Sequence, residues 1–258
     1  NPVIKFRIIS FSCFLVTWVL VFLCSPARCE QVATSPVFAG SSQLVIVTTG
    51  GWDEVSGKLQ RYSRKDVNAP WKRVGSVIPV VVGKSGLGWG RGINPVITDD
   101  AGPQKKEGDG RGPAGIFKLG DAFGLAPKSE MPGLKLPYLQ LNPETECVDD
   151  VKSTHYNSIV GDVRARDWDS SEHMKNVGAQ YRLGVVVEHN FEPRVNGGGS
   201  CIFMHVWKDS GTGTSGCTAM SSEAMDGFIT WLEPKAKPLL VQLPKAKYKV
   251  LKKQWGLP

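Results

Sequence analysis

Cys217 follows His205 by twelve residues, and between them runs a loop of glycines and hydroxyls, HVWKDSGTGTSGCTAMS (His205–Ser221). A thiol and an imidazole within reach of one another can carry out nucleophilic acyl transfer. The sulfur attacks a carbonyl, the ring takes its proton, and peptide N–H groups hold the oxyanion that forms. Gly216 lets the backbone approach closely just before Cys217, so N–H groups around Gly216 and Cys217 can point at that oxygen. Thr214 and Ser215 add hydroxyls, and a helix start just downstream, if aimed at the sulfur, favours the thiolate. Three other readings stand beside this one. A lone cysteine is commonly a buried thiol, although the polar or tiny neighbours GTGTSG argue against burial here. Cys217 could pair with Cys147 or Cys201, though those two could equally pair together. It could also join His189 and His205 on zinc, but the short paired spacings of structural zinc sites are absent.

The elements around the pair follow from periodicity. CIFMHVW (Cys201–Trp207) alternates as a strand, with Cys201, Phe203, His205 and Trp207 on one face; both faces are bulky, which predicts a central strand. Lys208–Ser215 is a turn-forming loop that can return the chain toward His205. SSEAMDGFITWLEP predicts a helix capped by Ser221 or Ser222, with Met225, Phe228, Ile229 and Leu232 as its buried stripe and Pro234 as its stop. Further strands are expected at Ser42–Thr49, Trp71–Gly83 (Pro79 marking an edge or bend), Lys135–Leu141, Arg182–Glu188 and Pro238–Leu243. The glycine-rich segments GKSGLGWGRG and DAGPQKKEGDGRGPAGIF are expected as surface loops. The glycines around Gly108–Gly115 lack the GK[ST] ending of a phosphate loop, so a nucleotide site is not expected there. The fold class is mostly β, with few helices and no βαβ rhythm.

The chain has 258 residues and a formal charge of +7. Lys5 and Arg7, the apolar run Ile8–Cys24 and the stretch SPARC read as a secretory signal over residues 1–29; a retained membrane anchor is the alternative, the run being at the short end for a span. Residues 30–258 are expected as a single domain, secreted or periplasmic and associated with the cell wall. They keep three cysteines, an odd number that leaves one thiol over once one internal bridge forms. Seven lysines and no acids fall between Lys235 and Lys253 in a basic C-terminal segment, 235–258. It reads as a solvated strand edge that lysines keep from pairing. Its charge suits an anionic cell surface, and no nucleic-acid partner is expected.

SGCTAM (Ser215–Met220) with His205 twelve residues upstream resembles the catalytic motif of the L,D-transpeptidase (YkuD-like) family, in its branch of larger secreted proteins. The stretches LVIVTT, GKLQRY, KKEGDGRGPAGIFKLGDAFG, CVDDVKSTHYN, GVVVEHN, GGGSCIFMHVW and ITWLEP agree, and together they span about Leu44 to Leu243. The resemblance implies a β-sandwich-like catalytic domain that needs no cofactor or metal and acts on peptidoglycan stem peptides. Cys217 matches the nucleophile, His205 its activator, and Gly216 with the Cys217 backbone the oxyanion stretch, with Ser215 preceding them. The implied reaction releases D-alanine and passes the acyl group from a thioester to an amine or to water. Two positions depart from the family: Ser215 stands where a histidine is common, and no arginine follows Cys217. Arg182, Arg194 or a lysine of the Lys105–Lys106 segment is the expected substitute for that arginine. The family orients its histidine through a backbone carbonyl; the nearest side chain for that role is Asp209, ahead of Asp149, Asp150 and His155. A Cys147–Cys201 bridge is preferred because it leaves Cys217 free. The alternatives are a non-catalytic wall-binding module, supported by the altered motif, the basic tail and an exposed Trp89, and a thiol hydrolase of another amide or ester. The sequence leaves the oligomeric state open.

Overall fold

A computed structural model of the chain describes residues 36–94, 102–162, 164 and 166–258; the expected leader, residues 1–29, lies outside them. In chain order the strands are β1 (Gln43–Thr49), β2 (Ser56–Ser63), β3 (Lys72–Val81), β4 (Leu87–Trp89), β5 (Gly112–Gly124), β6 (Tyr138–Gln140) and β7 (Glu146–Val148). There follow β8 (Ile159–Val160), β9 (Ser171–His173), β10 (Leu183–Val187), β11 (Phe203–Val206), β12 (Thr218–Met220), helix α1 (Ser222–Trp231), β13 (Leu239–Pro244) and helix α2 (Lys245–Trp255). The mostly β class expected from the sequence is the class observed. The main sheet runs β10-β11-β12-β3-β2-β1-β13-β5-β4, and a further β10–β5 pairing returns the path on itself. A small sheet, β8-β7-β9, stands apart from it.

Runs of consecutive apolar residues become the strands buried on both faces. In β1, Leu44, Val45, Ile46 and Val47 are all buried, between antiparallel β2 and parallel β13. Every residue of β13 is buried too. β2 and β3 carry polar residues outward. β3 meets β12 only at Ala219↔Val81, so most of its far edge is open, which is where Pro79 is tolerated.

The glycine-rich segments depart from expectation. Leu87–Trp89 is a fully buried strand, and Gly112–Gly124 is the longest strand of the sheet, pairing with β13 and β4 through its first half and with β10 and β6 through its second. Its glycines answer a steric need. A Cβ on Gly124 would lie 2.4 Å from the Arg182 carbonyl oxygen, and Gly115 has φ +140° with the Asn94 side chain against it.

Helix α1 forms as its stripe predicts. The Ser221 hydroxyl accepts from the Ala224 N–H, and Met225, Phe228, Ile229 and Leu232 are buried. The lysine-rich C-terminal segment is a correction: 245–255 is a helix and not a strand edge. Leu251 and Trp255 turn inward at helical spacing, while Lys245, Lys249, Lys252 and Lys253 are exposed. Trp89 is a second correction. It is 4% exposed and packs edge-on against Trp52, so it offers no wall-binding surface. Among the described residues no helix is long and apolar enough to cross a membrane.

Candidate active site

Strands β11 and β12 run parallel, with Met204 opposite Thr218 and His205 opposite Ala219. Cys217 immediately precedes β12, so the two-residue alternation of a strand puts its side chain on the face that carries Ala219 and His205. The connecting loop is pinned on the way. Asp209 accepts from the Gly211 and Thr212 N–H groups, and Thr214 exchanges backbone bonds with Val82 and Lys84. The Thr214 hydroxyl donates to the Cys217 carbonyl at 2.6 Å and accepts from the Gly216 N–H at 3.1 Å. Thr218 donates to the buried Gln242 side chain, which donates to the Pro113 carbonyl, tying the residue after the thiol to β13 and β5. Gly216 has a packing reason as well: a Cβ there would sit 3.1 Å from both the Arg111 carbonyl oxygen and Ile202 Cδ1. Since its N–H is taken by Thr214, its place in the motif is close packing and the turn rather than a free oxyanion donor. Ser215 is exposed on the rim.

Cys217 is buried, which the polar loop before it did not suggest. The loop's polarity ends at Ser215; from Gly216 the chain enters β12 and packs among Phe123, Cys147, Met174, Tyr181 and Phe203. The sulfur nevertheless lines a cavity of about 450 Å³ together with His205, Lys105, Glu172, Tyr181 and Cys201. It accepts from the Phe203 N–H at 3.3 Å, and its thiol donates to the Cys201 carbonyl at 3.5 Å. Burial, and then the nearby Glu172, pushes the Cys217 pKa up to about 12, against the opposing pull of the Phe203 N–H, Tyr181 and Lys105. The expected lowering by the downstream helix start is therefore overridden. Burial lowers the His205 pKa to about 4. The resting pair is a neutral thiol beside a neutral imidazole.

His205 Nδ1 lies 2.8 Å from the Val206 carbonyl oxygen. A carbonyl only accepts, so Nδ1 carries the proton and Nε2 is left with its lone pair. The orienting group is thus a backbone carbonyl and not Asp209, which is exposed and spends its carboxylate on the loop. Neither predicted arginine lines the thiol cavity. Arg182 binds Ser222 and Asp226 at the start of α1, and Arg194 is exposed beside a separate cavity of about 570 Å³. The cationic side chains at the thiol are Lys84, Lys105 and Lys208, of which Lys105 is buried and paired with Asp109 at 2.6 Å.

Cys147 and Cys201 form a disulfide, which leaves Cys217 as the free cysteine among the described residues. The zinc reading fails on His189, whose ring nitrogens both face backbone groups, the Arg91 N–H and the Gly198 carbonyl. Tyr181 and Glu172 were missed by sequence reasoning. Neither sits on a periodic face, and the folding of segment 142–181 beside β11 is what brings them to Cys217.

A family model for the YkuD L,D-transpeptidase catalytic domain matches residues 65–241. No curated protein and no solved structure matches the chain.

Proposed function

The chain belongs to the YkuD family of L,D-transpeptidase catalytic domains, and from that premise we propose that it is a cysteine acyltransferase of peptidoglycan stem peptides with Cys217 as nucleophile. The observation that carries the reading is the free Cys217 thiol. It opens into the same cavity as His205, while the other two cysteines of the described residues are bonded to each other.

The resting chemistry dictates the order of events. A thiol with pKa about 12 and an imidazole with pKa about 4 do not exchange a proton before substrate arrives. His205 Nε2 accepts the proton as the sulfur adds to the scissile carbonyl, so charge on sulfur is transient. The Phe203 N–H steadies that charge, and the Cys217 peptide N–H is the donor that the motif offers the oxyanion. The C–N bond to D-alanine then breaks, His205 returns its proton to the leaving amine, and a thioester remains. An amine or water resolves it.

The cavity wall suits a peptide that carries both charges: Lys84, Lys105 and Lys208 face Glu107, Asp149 and Glu172 around it. The lysines stand in for the missing arginine in receiving carboxylates. A disulfide fits a secreted or periplasmic, wall-associated protein, and the exposed lysines of α2 fit an anionic surface. Incubating the chain with tetrapeptide-bearing wall fragments tests the proposal. Free D-alanine and either cross-linked or trimmed peptides are expected, and none with Cys217→Ala. Binding without D-alanine release, unchanged by that substitution, overturns it in favour of a non-catalytic module; turnover of other amides or esters alone makes it a thiol hydrolase of different substrate.

A further inference from the structure

We infer that Tyr181, backed by Glu172, is a second proton-handling group at Cys217 and serves the step in which the thioester is resolved by an incoming amine; the inference rests on the acyl-transfer reading above. Tyr181 is buried in the same side-chain cluster as Cys217. Its hydroxyl donates to Glu172 Oε1 at 2.6 Å. Its ring meets the His205 ring edge-on, with centroids 5.1 Å apart. All four side chains line one cavity, and Glu172 is partly open to it.

With its proton committed to Glu172, the Tyr181 oxygen keeps lone pairs free for a group bonded to Cys217 in the cavity they share. That is the geometry of a relay. The amine nitrogen forms its bond to the thioester carbonyl and passes one proton to the Tyr181 oxygen, as Tyr181 passes its own to Glu172. The C–S bond breaks and the electron pair stays on sulfur. Tyr181 then returns a proton to the Cys217 thiolate and Glu172 returns one to Tyr181, so thiol, phenol and carboxylate are restored. An acceptor that arrives as an ammonium ion first loses one proton to solvent. Burial, partly offset by the Tyr181 hydrogen bond and reinforced by Asp149, raises the Glu172 pKa, which suits a carboxylate that must hold a proton briefly. Tyr181 packs in one cluster with Cys217 and would meet the reacting group; Glu172 acts through it.

Rapid mixing of the chain with a tetrapeptide donor and an excess of free diamino-acid acceptor separates the two half-reactions. A burst of D-alanine, one per enzyme, reports acylation, and the following steady rate reports resolution. In Glu172→Gln and Tyr181→Phe, both close in shape to the originals, the steady rate is expected to fall by about 100-fold. The burst should slow far less, and the thioester should accumulate. The double variant should be no slower than either single one, because the two act as one unit. Equal slowing of burst and steady phase would reduce Tyr181 and Glu172 to packing and overturn the relay, as would an unchanged steady rate or additive losses. An unaltered chain that releases no D-alanine at all would instead sink the acyl-transfer reading itself.

Discussion

In the main sheet the neighbouring strands β1, β13 and β5 bury apolar side chains on both faces, and its buried Phe117, Ile116 and Leu240 are within 1% of complete exclusion from water. The small sheet β8-β7-β9 is organised around acids. Glu146 accepts from Ser171, from the Trp168 indole at 3.1 Å and from Arg166 at 2.7 Å, while Asp167 receives the Ser153 and Thr154 hydroxyls. One covalent bond, Cys147–Cys201, joins β7 to the residue that leads toward β11. The first region carries Cys217 and His205; the second supplies Glu172 and Asp149 to the same cavity. Apolar burial is therefore the means of holding Cys217 and His205 in register, and hydrogen-bonded carboxylates with a crosslink hold the groups that face them.

Acid separates the two regions most sharply. His205 and His189, both buried in the main body, have folded pKa values lowered to about 4. The unfolded chain binds their protons from about pH 6.5 downward and the folded one does not, so stability present above that value is lost as pH falls toward 4, about 3 kcal/mol for each group. In the small sheet burial opposes the Glu146 carboxylate, yet hydrogen bonds from Ser171 and Trp168 carry its pKa below the ordinary range. Hydrogen bonds from Ser153 and Thr154 take Asp167 to about 2. Their contribution is present above the ordinary carboxylate range and lost below it, toward pH 2. Glu172, with its raised pKa, runs the other way and favours the fold when protonated. Urea midpoints should thus drop between pH 6.5 and 4, and amide exchange in β7 and β9 should accelerate in a separate, lower window. A single window for both regions would contradict the division.

Removing the crosslink is the next largest effect. Replacing Cys147 and Cys201 together by serine opens a loop closed across 54 residues, worth about 4 kcal/mol by chain entropy. The loss should concentrate in the small sheet, with β1, β5 and β13 keeping their amide protection and D-alanine release falling. Uniform loss of protection would mean that the two sheets unfold as one. Smallest is Ser221→Ala, which removes the cap of α1 and should cost about 1 kcal/mol, read as a shifted denaturation midpoint. Because α1 packs on the main sheet, the small sheet's exchange should not change selectively.

The same contrast governs what was legible in the sequence. Strands β1, β10, β11 and β13 announced themselves as apolar or alternating runs, and α1 by its stripe and cap. Cys217 and His205 were legible because one short loop joins them. Strand β5 was hidden by glycines that serve close backbone approach, a need set by partners far away in sequence. The spacing of Tyr248, Leu251 and Trp255 did signal α2, but the density of lysines masked it. Burial of Cys217 depends on Phe123, Phe203 and Tyr181 from other segments, and Glu172 reaches the thiol only through the fold of a polar region without periodicity. The meeting of Cys217 and His205 was readable; the surroundings that set their pKa values were not.

The intact mass of the chain after brief exposure to a tetrapeptide donor, at acid quench, bears most directly on the central claim. The expected result is an adduct equal to the donor less D-alanine, mapped to Cys217, absent from Cys217→Ala and sharply reduced in His205→Ala. D-alanine release that persists in Cys217→Ala, or an adduct mapped to any other residue, would contradict it.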